Sequence, residues 1–162
     1  SEGRVKQKNG KTCPVVITKY YHFKPSSLQV DYTVKNIGEE GLSTTFASEI
    51  NLSFFSFESK DLFMAVRRSA ENKDSENFAS FPISFDTVSE IIINDLYNKV
   101  DISMKFSEDS SVWSLPIITY ALAEDSFRPC YQASCFLPHW NLAIDAGKSW
   151  KTTISLEFKY ND

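Results

Sequence analysis

The sequence predicts an all-β fold, a large antiparallel β-sandwich, on three observations. Apolar and polar residues alternate with a period of two in three segments, turn residues divide the chain at short intervals, and no segment has the pattern of a long amphipathic helix. Such alternation indicates strands with one face on a core and the other towards water. Nine or more strands in one chain imply two packed antiparallel sheets.

The alternating segments are Ser27–Lys35, Ile102–Phe106 and Thr153–Tyr160, in which the even residues are apolar or aromatic and the odd residues are polar. A helix would spread the even positions around its whole surface, so these segments are strands. Strand-forming residues between turn signals predict further strands. They lie at Val15–Phe23, Thr45–Phe57, Leu62–Arg67, Phe81–Asp86, Ile117–Ala123 and Ala133–Phe136.

One segment, Ser89–Val100, has features of both a helix and a strand. Its apolar residues at spacing four suit a helix, whereas the β-branched run Ile91–Ile93 favours a strand. We expect a strand at 90–94, a turn through Asn94–Lys99 and a new strand beginning near Val100. Turns or polar loops are also predicted at Lys24–Ser26, Asn36–Gly41, Ser69–Asn77, Ser107–Ser111 and Asp145–Lys148.

Length and charge limit the function classes. The 162 residues suit a polar N-terminal segment at 1–12 and one sandwich domain at 13–162, without a linker between two domains. The net charge is −4, and no run of lysine or arginine suggests a nucleic-acid partner. The apolar stretches are too short to span a membrane. Three cysteines make an odd count, which favours a reducing cytoplasm over a disulfide framework.

Recognisable catalytic and cofactor motifs are missing from the sequence. It contains no G-x-S-x-G elbow, phosphate-binding loop, dinucleotide fingerprint or H-E-x-x-H pair. The two histidines, His22 and His139, do not stand in a zinc-ligand spacing with the cysteines. We therefore expect no cofactor, no metal and no catalytic residue in this chain.

Three local features remain as candidates for carbohydrate binding or for an interface. In Phe46–Leu52, Glu49 and Asn51 share one strand face and could hold sugar hydroxyls, or could form a polar pair facing solvent or a partner. Trp113 precedes a proline-interrupted strand and could be a sugar platform or a packing anchor. In Tyr131–Trp140, the residues Gln132, His139 and Trp140 could form a pocket, or Leu137–Trp140 could be a corner that packs Trp140 inward.

In this order, the three features resemble the C-terminal β-sandwich of glycoside hydrolase family 57, the α-amylase and 4-α-glucanotransferase group. The family's F-x-x-E-x-N-L strand is matched at 46–52. Its second motif ends in Y-Q-[GA]-S, and its third contains L-P-x-W. The likeness extends from about Val15 to Phe158, although Ala133 stands where glycine is usual and the spacing before Glu124 is tighter. The remaining matches are Pro116, Ile117, Thr119, Phe127, Tyr131, Gln132, Ser134, Leu137, Pro138, Trp140, Leu142, Ile144, Gly147 and Trp150.

The resemblance implies a galactose-mutarotase-like supersandwich that packs against a separate catalytic (β/α) barrel. In that family the catalytic carboxylates of a retaining mechanism lie on the barrel, so the resemblance implies a non-catalytic accessory domain of a larger enzyme, with α-glucan as a second partner. Two alternatives stay open. One is a purely structural interface module. The other is an aldose-epimerase-like enzyme, for which His139 and Glu49 are the candidate acid–base pair.

Overall fold

The structure is a computed structural model that describes residues 1–7, 10–55, 60–68, 74–77, 83–123 and 126–161. The strand pairs within these ranges are antiparallel, which confirms the predicted all-β class. The described strands are β1 Glu2–Lys6, β2 Thr12–Lys24, β3 Ser27–Asn36, β4 Leu42–Ala47, β5 Ile50–Leu52, β6 Leu62–Arg68, β7 Asp74–Asn77, β8 Ile83–Asp95, β9 Val100–Ala123, β10 Ser126–Ile144 and β11 Ser149–Tyr160.

The strands form two layers that share the long strand β9. The first layer has the order β1-β2-β3-β11-β9-β8-β6-β7. The second layer is centred on β10, which pairs with β9 on one side and with β4 and β5 on the other. Residues 100–106 of β9 pair with β11, whereas residues 111–123 pair with β10. Strand β9 therefore carries the chain from one layer into the other.

The predicted turn at Ser107–Ser111 is wrong, because β9 continues through it. The ladder between β8 and β9 shifts register near Val88, where Thr87 has a φ of 59°. In this irregular stretch, serine hydroxyls accept hydrogen bonds from backbone amides in place of the carbonyl oxygens of a neighbouring strand. Ser107 Oγ accepts the Thr153 amide at 2.8 Å, and Ser110 Oγ accepts the His139 amide at 3.1 Å. The small polar residues thus support a bend in the strand rather than its end.

An aromatic cluster joins the two layers in the core. Phe46 and Trp140 of the second layer contact Tyr32 and Trp150 of the first. The ring centroids are 5.4 Å apart for both Tyr32–Phe46 and Trp140–Trp150. The Tyr32 hydroxyl also lies 2.7 Å from Ser48 Oγ, so a buried hydrogen bond links the layers. The core around the cluster is mainly aliphatic, with Phe136 as a further buried ring, and includes Leu42, Met64, Val66, Val88, Ile91, Ile93, Met104, Val112 and Ile154.

The loop after β3 is held by Asn36, which is fully buried. Its amide nitrogen donates to the carbonyl oxygens of Glu40 at 2.8 Å and Ile144 at 3.0 Å. Its Oδ1 accepts the Gly38 amide at 2.9 Å and the Cys13 thiol at 3.1 Å. All four hydrogen-bonding positions of the side chain are used, so Asn36 connects β2, the loop and the end of β10.

Most of the other predicted elements are confirmed with changed lengths. The ambiguous segment forms the end of β8, a turn and the start of β9, as expected. The strand predicted at Thr45–Phe57 is divided into β4 and β5, and residues 74–77 of the predicted loop form β7. Strand β1 lies inside the polar segment 1–12 and pairs with β2. Parts of three predictions, at 56–57, 69–73 and 81–82, lie outside the described residues.

Candidate functional site

Four of the predicted site residues project from one surface, the outer face of the second layer. Residues opposite each other on antiparallel strands point to the same side of the sheet. Trp113 lies opposite Leu137 of β10, and Asn51 lies opposite Cys135. His139 is two residues from Leu137 and Glu49 is two residues from Asn51, so both point to that same side. We call Glu49, Asn51, Trp113 and His139 the outer cluster.

Glu49 and Asn51 form the polar end of the outer cluster. The Asn51 amide donates to Glu49 Oε1 at 2.7 Å, and both residues are exposed. Glu49 lies in the gap between β4 and β5. Even so, the pairing of β10 has the same register on both sides of the gap, with His139 opposite Ala47 and Asn51 opposite Cys135. The predicted shared face of Glu49 and Asn51 is therefore confirmed.

Trp113 and His139 form the aromatic end. Their ring centroids are 4.3 Å apart, and Trp113 is 52% exposed. His139 Nδ1 lies 3.0 Å from the Leu137 carbonyl oxygen. A carbonyl can only accept, so Nδ1 carries the proton and donates this bond. In the neutral ring, Nε2 is then the acceptor nitrogen.

The centre of the outer cluster is apolar. Leu137 lies between Trp113 and Glu49 in the register, and Cys135 follows it on the same side of β10. Burial raises the pKa of the Cys135 thiol, and the nearby negative charge of Glu49 raises it further. The thiol therefore stays protonated at neutral pH, and Cys135 acts as a small apolar residue beneath the surface.

A polar groove of about 370 Å³ borders the His139 side of the outer cluster. Thr45 donates to Asn141 Oδ1 at 2.9 Å, which orients the Asn141 amide. Ser111 donates to Asp86 Oδ1 at 2.8 Å. These contacts fix hydrogen-bonding groups near His139, whose ring packs on Trp113. The polar side chains that line the groove are Glu108, Asp109, Ser111, His139 and Asn141, and the core rings of Trp140 and Trp150 also border it.

The structure does not support the pocket predicted from Gln132, His139 and Trp140. Residues Leu137–Trp140 continue strand β10 instead of forming a corner, so His139 and Trp140 point to opposite sides of the sheet. Trp140 is 7% exposed and packs in the core, which confirms its inward packing, and it only borders the groove beside His139 from beneath. Gln132 occupies a β-bulge, where its amide donates to Thr119 Oγ1 at 3.1 Å.

Sequence reasoning missed an exposed apolar surface on the β9–β10 hairpin. Tyr120, Leu122 and Phe127 are 70%, 70% and 72% exposed. Leu122 lies opposite Phe127, on the same side of β9 as the fully buried Val112. We call Tyr120, Leu122 and Phe127 the hairpin face. The even positions 118, 120 and 122 are all apolar or aromatic, and this alternation could have identified the surface.

A second polar cluster lies on the outer face of the first layer. Asp31 accepts hydrogen bonds from Gln29 at 2.9 Å and Thr153 at 2.8 Å, and its other oxygen lies 2.8 Å from His22 Nε2. The Gln29 amide, then the Thr153 hydroxyl, and finally His22 hold the pKa of this carboxyl below the usual 3.8, against a smaller opposing effect of burial. These bonds favour the ionised form.

We expect the free energy of unfolding of Asp31→Asn to fall less steeply than that of the wild type as the pH is lowered. Because the folded pKa of Asp31 is lowered, the unfolded state binds more protons between the two pKa values. The contribution of Asp31 is thus present above pH 3.8 and lost as pH falls through the folded pKa. Urea denaturation between about pH 2 and 5 measures this slope. Gln29→Leu should reproduce part of the change, and an unaltered slope in both variants would contradict the assignment.

The described residues contain no group of three or more His, Cys, Asp or Glu side chains able to hold a metal ion. Within the same ranges, no helix has the length and apolar character that a membrane span requires. Cys13, Cys130 and Cys135 are free thiols.

Comparison with known proteins shows the family to which the sequence is related. Residues 2–154 match the family described as "Alpha-amylase/4-alpha-glucanotransferase, C-terminal". The chain is similar to Alpha-amylase 1 of Dictyoglomus thermophilum, with 25% identity over 138 residues that make up 83% of this chain and 19% of that protein. The crystal structure of 4-α-glucanotransferase from Thermococcus litoralis matches at a TM-score of 0.66 and 20% identity, over 97% of this chain and 20% of that one. The chain thus spans about a fifth of the length of these two proteins.

Galactose mutarotase-like structures share the fold. A galactose mutarotase related enzyme from Lactobacillus acidophilus matches at a TM-score of 0.54 and 13% identity, over 91% of this chain and 61% of that one. A galactose mutarotase-like protein from Clostridium acetobutylicum matches at 0.52 and 12%, over 99% of this chain and 65% of that one. At such identities the likeness extends to the fold alone.

Proposed function

Because this chain belongs to the family of C-terminal domains of α-amylases and 4-α-glucanotransferases, we propose that it is a non-catalytic accessory domain that packs against the catalytic domain of a larger α-glucan-acting enzyme. The family match over residues 2–154 carries the proposal. The parent would be a retaining enzyme of glycoside hydrolase family 57, with its catalytic carboxylates on a (β/α) barrel. The free thiols of the chain agree with a cytoplasmic parent.

The hairpin face supports the packing role. Three large apolar side chains on one side of a hairpin expose surface that soluble domains normally bury. They continue the inner side of β9, so a partner docked on them would extend the core of the domain. Obligate interfaces are more apolar than transient ones, so an apolar contact of this kind suits a permanent association.

The outer cluster supports a contribution to carbohydrate binding. It combines an exposed indole ring with a carboxylate, an amide and an imidazole, which are the group types that bind sugar rings and their hydroxyls. The hairpin face lies on the opposite side of the sheet from the outer cluster. One side of the second layer can therefore contact the catalytic domain while the other contacts α-glucan.

The geometry disfavours an aldose-epimerase function. Epimerisation needs an acid and a base placed across a sugar ring from each other. His139 of β10 and Glu49 of the segment between β4 and β5 project from the same side of one sheet, and Glu49 is exposed to water. Groups that point in the same direction from an open surface do not flank a ring.

We expect the purified 162-residue chain to leave maltooligosaccharides unchanged, because the proposal places all catalytic groups on another domain. Chromatography of the sugars after long incubation measures both hydrolysis and glucan transfer. Turnover that remains through successive purification steps would contradict the accessory role.

The packing role predicts that Leu122→Glu weakens the association of this domain with the catalytic domain by at least about 10-fold, because a charge would enter an apolar contact. Both domains are expressed separately, and their association is measured by calorimetry. The matched control is Ala121→Glu, which places the same charge on the other side of the same strand. Equal binding by the two variants would move the interface away from the hairpin face.

A further inference from the structure

We propose that Trp113, His139 and the adjoining groove form a subsite for a pyranose ring of a neutral glucan chain. This inference rests on the proposed function, and it selects one end of the outer cluster as the place where the sugar binds. Three features of the structure carry it: the restrained indole ring, the fixed tautomer of the imidazole and the charge of the groove.

The indole ring of Trp113 provides the platform. It is half exposed on the open face of the sheet, and it packs on the His139 ring at a centroid distance of 4.3 Å. A pyranose presents its C–H groups on the faces of the ring and its hydroxyls around the edge, so it can cover an indole while its hydroxyls stay in hydrogen-bonding reach of neighbours. Because His139 restrains the indole, little side-chain entropy is lost when a ligand binds.

His139 provides a directed acceptor. Its Nδ1 proton is committed to the Leu137 carbonyl oxygen at 3.0 Å, which fixes the orientation of the ring. In the neutral ring, Nε2 therefore accepts and lies beside the platform. A sugar hydroxyl is a suitable donor for this nitrogen.

The groove provides further partners for hydroxyl groups. The Thr45 hydroxyl donates to the oxygen of the Asn141 side-chain amide, so the nitrogen of that amide can donate to a ligand. Ser111 is held by Asp86, and its hydroxyl oxygen can still accept. The groove of about 370 Å³ thus offers both donors and acceptors, and it adjoins the indole ring through His139.

The charge of the groove selects a neutral ligand. The carboxylates of Glu108 and Asp109 line it, and the described lining contains neither lysine nor arginine. An anionic ligand would meet the like charge of Glu108 at short range, whereas a hydroxyl of a neutral sugar can donate to that carboxylate. The structure therefore favours an uncharged glucan over a phosphorylated or sulfated saccharide.

The test is an NMR titration of the ¹⁵N-labelled chain with maltoheptaose. The chain has three tryptophans, and two of them, Trp140 and Trp150, pack in the core cluster. We expect the indole N–H signal of Trp113 to move in a saturable way and by more than those of Trp140 and Trp150, whose buried rings border the groove from the core. Trp113→Ala should abolish the binding, and His139→Phe, which keeps an aromatic ring but loses the acceptor, should weaken it at least about 5-fold, or roughly 1 kcal/mol.

Tyr20→Ala is the matched control, because Tyr20 is 64% exposed but lies on the first layer. It should leave the maltoheptaose titration unchanged. Failure of the wild-type Trp113 signal to respond at saturating maltoheptaose would overturn the subsite. So would backbone amide signals of Ser111, His139 and Asn141 that titrate with the same affinity in Trp113→Ala as in the wild type. The accessory role is measured separately through Leu122, so loss of the subsite leaves it standing. If Trp113→Ala weakened association with the catalytic domain instead, the outer cluster would be an interdomain contact.

Discussion

Replacing Trp140 by alanine is expected to lower the free energy of unfolding by about 3 to 5 kcal/mol. Trp140 is 7% exposed, and its ring lies 5.4 Å from that of Trp150 and 6.2 Å from those of Phe46 and Phe106. Its indole nitrogen donates to the Glu108 carbonyl at 3.2 Å. The substitution therefore removes contacts with both layers, leaves a large cavity between them and frees a carbonyl oxygen beside the bend of β9.

Equilibrium urea denaturation measures this loss, and Trp113→Ala is the control. Trp113 projects from the outer face of the same layer, so its removal should change the unfolding free energy by less than about 1 kcal/mol. The large difference between two tryptophans arises from the opposite sides of the sheet to which they point. Similar effects of the two substitutions would contradict the assignment of the faces.

The strands that alternate cleanly were predictable because each has one buried and one solvated face. Strand β3 is the clearest case. Val30, Tyr32 and Val34 are buried, whereas the residues between them are polar. The lengths of β9 and β10 were not predictable in the same way. Serines and prolines interrupt their alternation. The hydrogen bonds that keep these residues within a strand come from strands that are distant in sequence.

Pro138 shows the physical reason. A proline inside a central strand removes a donor from the ladder, which favours the interpretation of a corner. In the structure the Pro138 carbonyl accepts the Ser48 amide at 3.0 Å, and in a strand the nitrogen and oxygen of one residue point the same way. The missing donor therefore faces the gap between β4 and β5. Pro138 therefore removes no hydrogen bond between β10 and β9. Its missing N–H instead accounts for the break in the pairing of β10 with β4 and β5 beside Glu49.

The candidate site was predictable in part. Alternation along Phe46–Leu52 placed Glu49 and Asn51 on one face, because both lie in one segment. The contact between Trp113 and His139 depends on the register of β9 against β10, and a bulge at Gln132 offsets that register. A bulge re-aims every residue beyond it, and its position depends on packing between distant segments. Trp140 could be proposed for the surface because the sequence does not show that Leu137–Trp140 continues a strand, in which His139 and Trp140 point to opposite sides.

The buried side chain of Asn36 should be the second most sensitive position. We expect Asn36→Ala to lower the unfolding free energy by about 3 to 5 kcal/mol, because several buried partners lose their hydrogen bonds together at about 1 to 3 kcal/mol each. Its four bonds reach Cys13, Gly38, Glu40 and Ile144. There is little room for rearrangement nearby, since a Cβ on Gly38 would lie 3.0 Å from Cys13 Sγ.

Asn36→Asp separates the loss of hydrogen bonds from the loss of volume. Aspartate keeps the shape and the acceptor oxygen, but when ionised it sets a buried negative charge against two carbonyl oxygens. Its folded pKa should therefore be raised, so this variant loses stability as pH rises above the unfolded value of about 4. Urea denaturation at pH 4 and pH 7 (values near and well above about 4) should show a larger deficit at the higher pH. Asn51→Ala, on the exposed face, should change stability by less than about 0.5 kcal/mol at either pH. A deficit for Asn36→Asp that does not depend on pH would mean that the carboxylate reaches water, and that Asn36 does not close the loop against β10 in the way its four hydrogen bonds indicate.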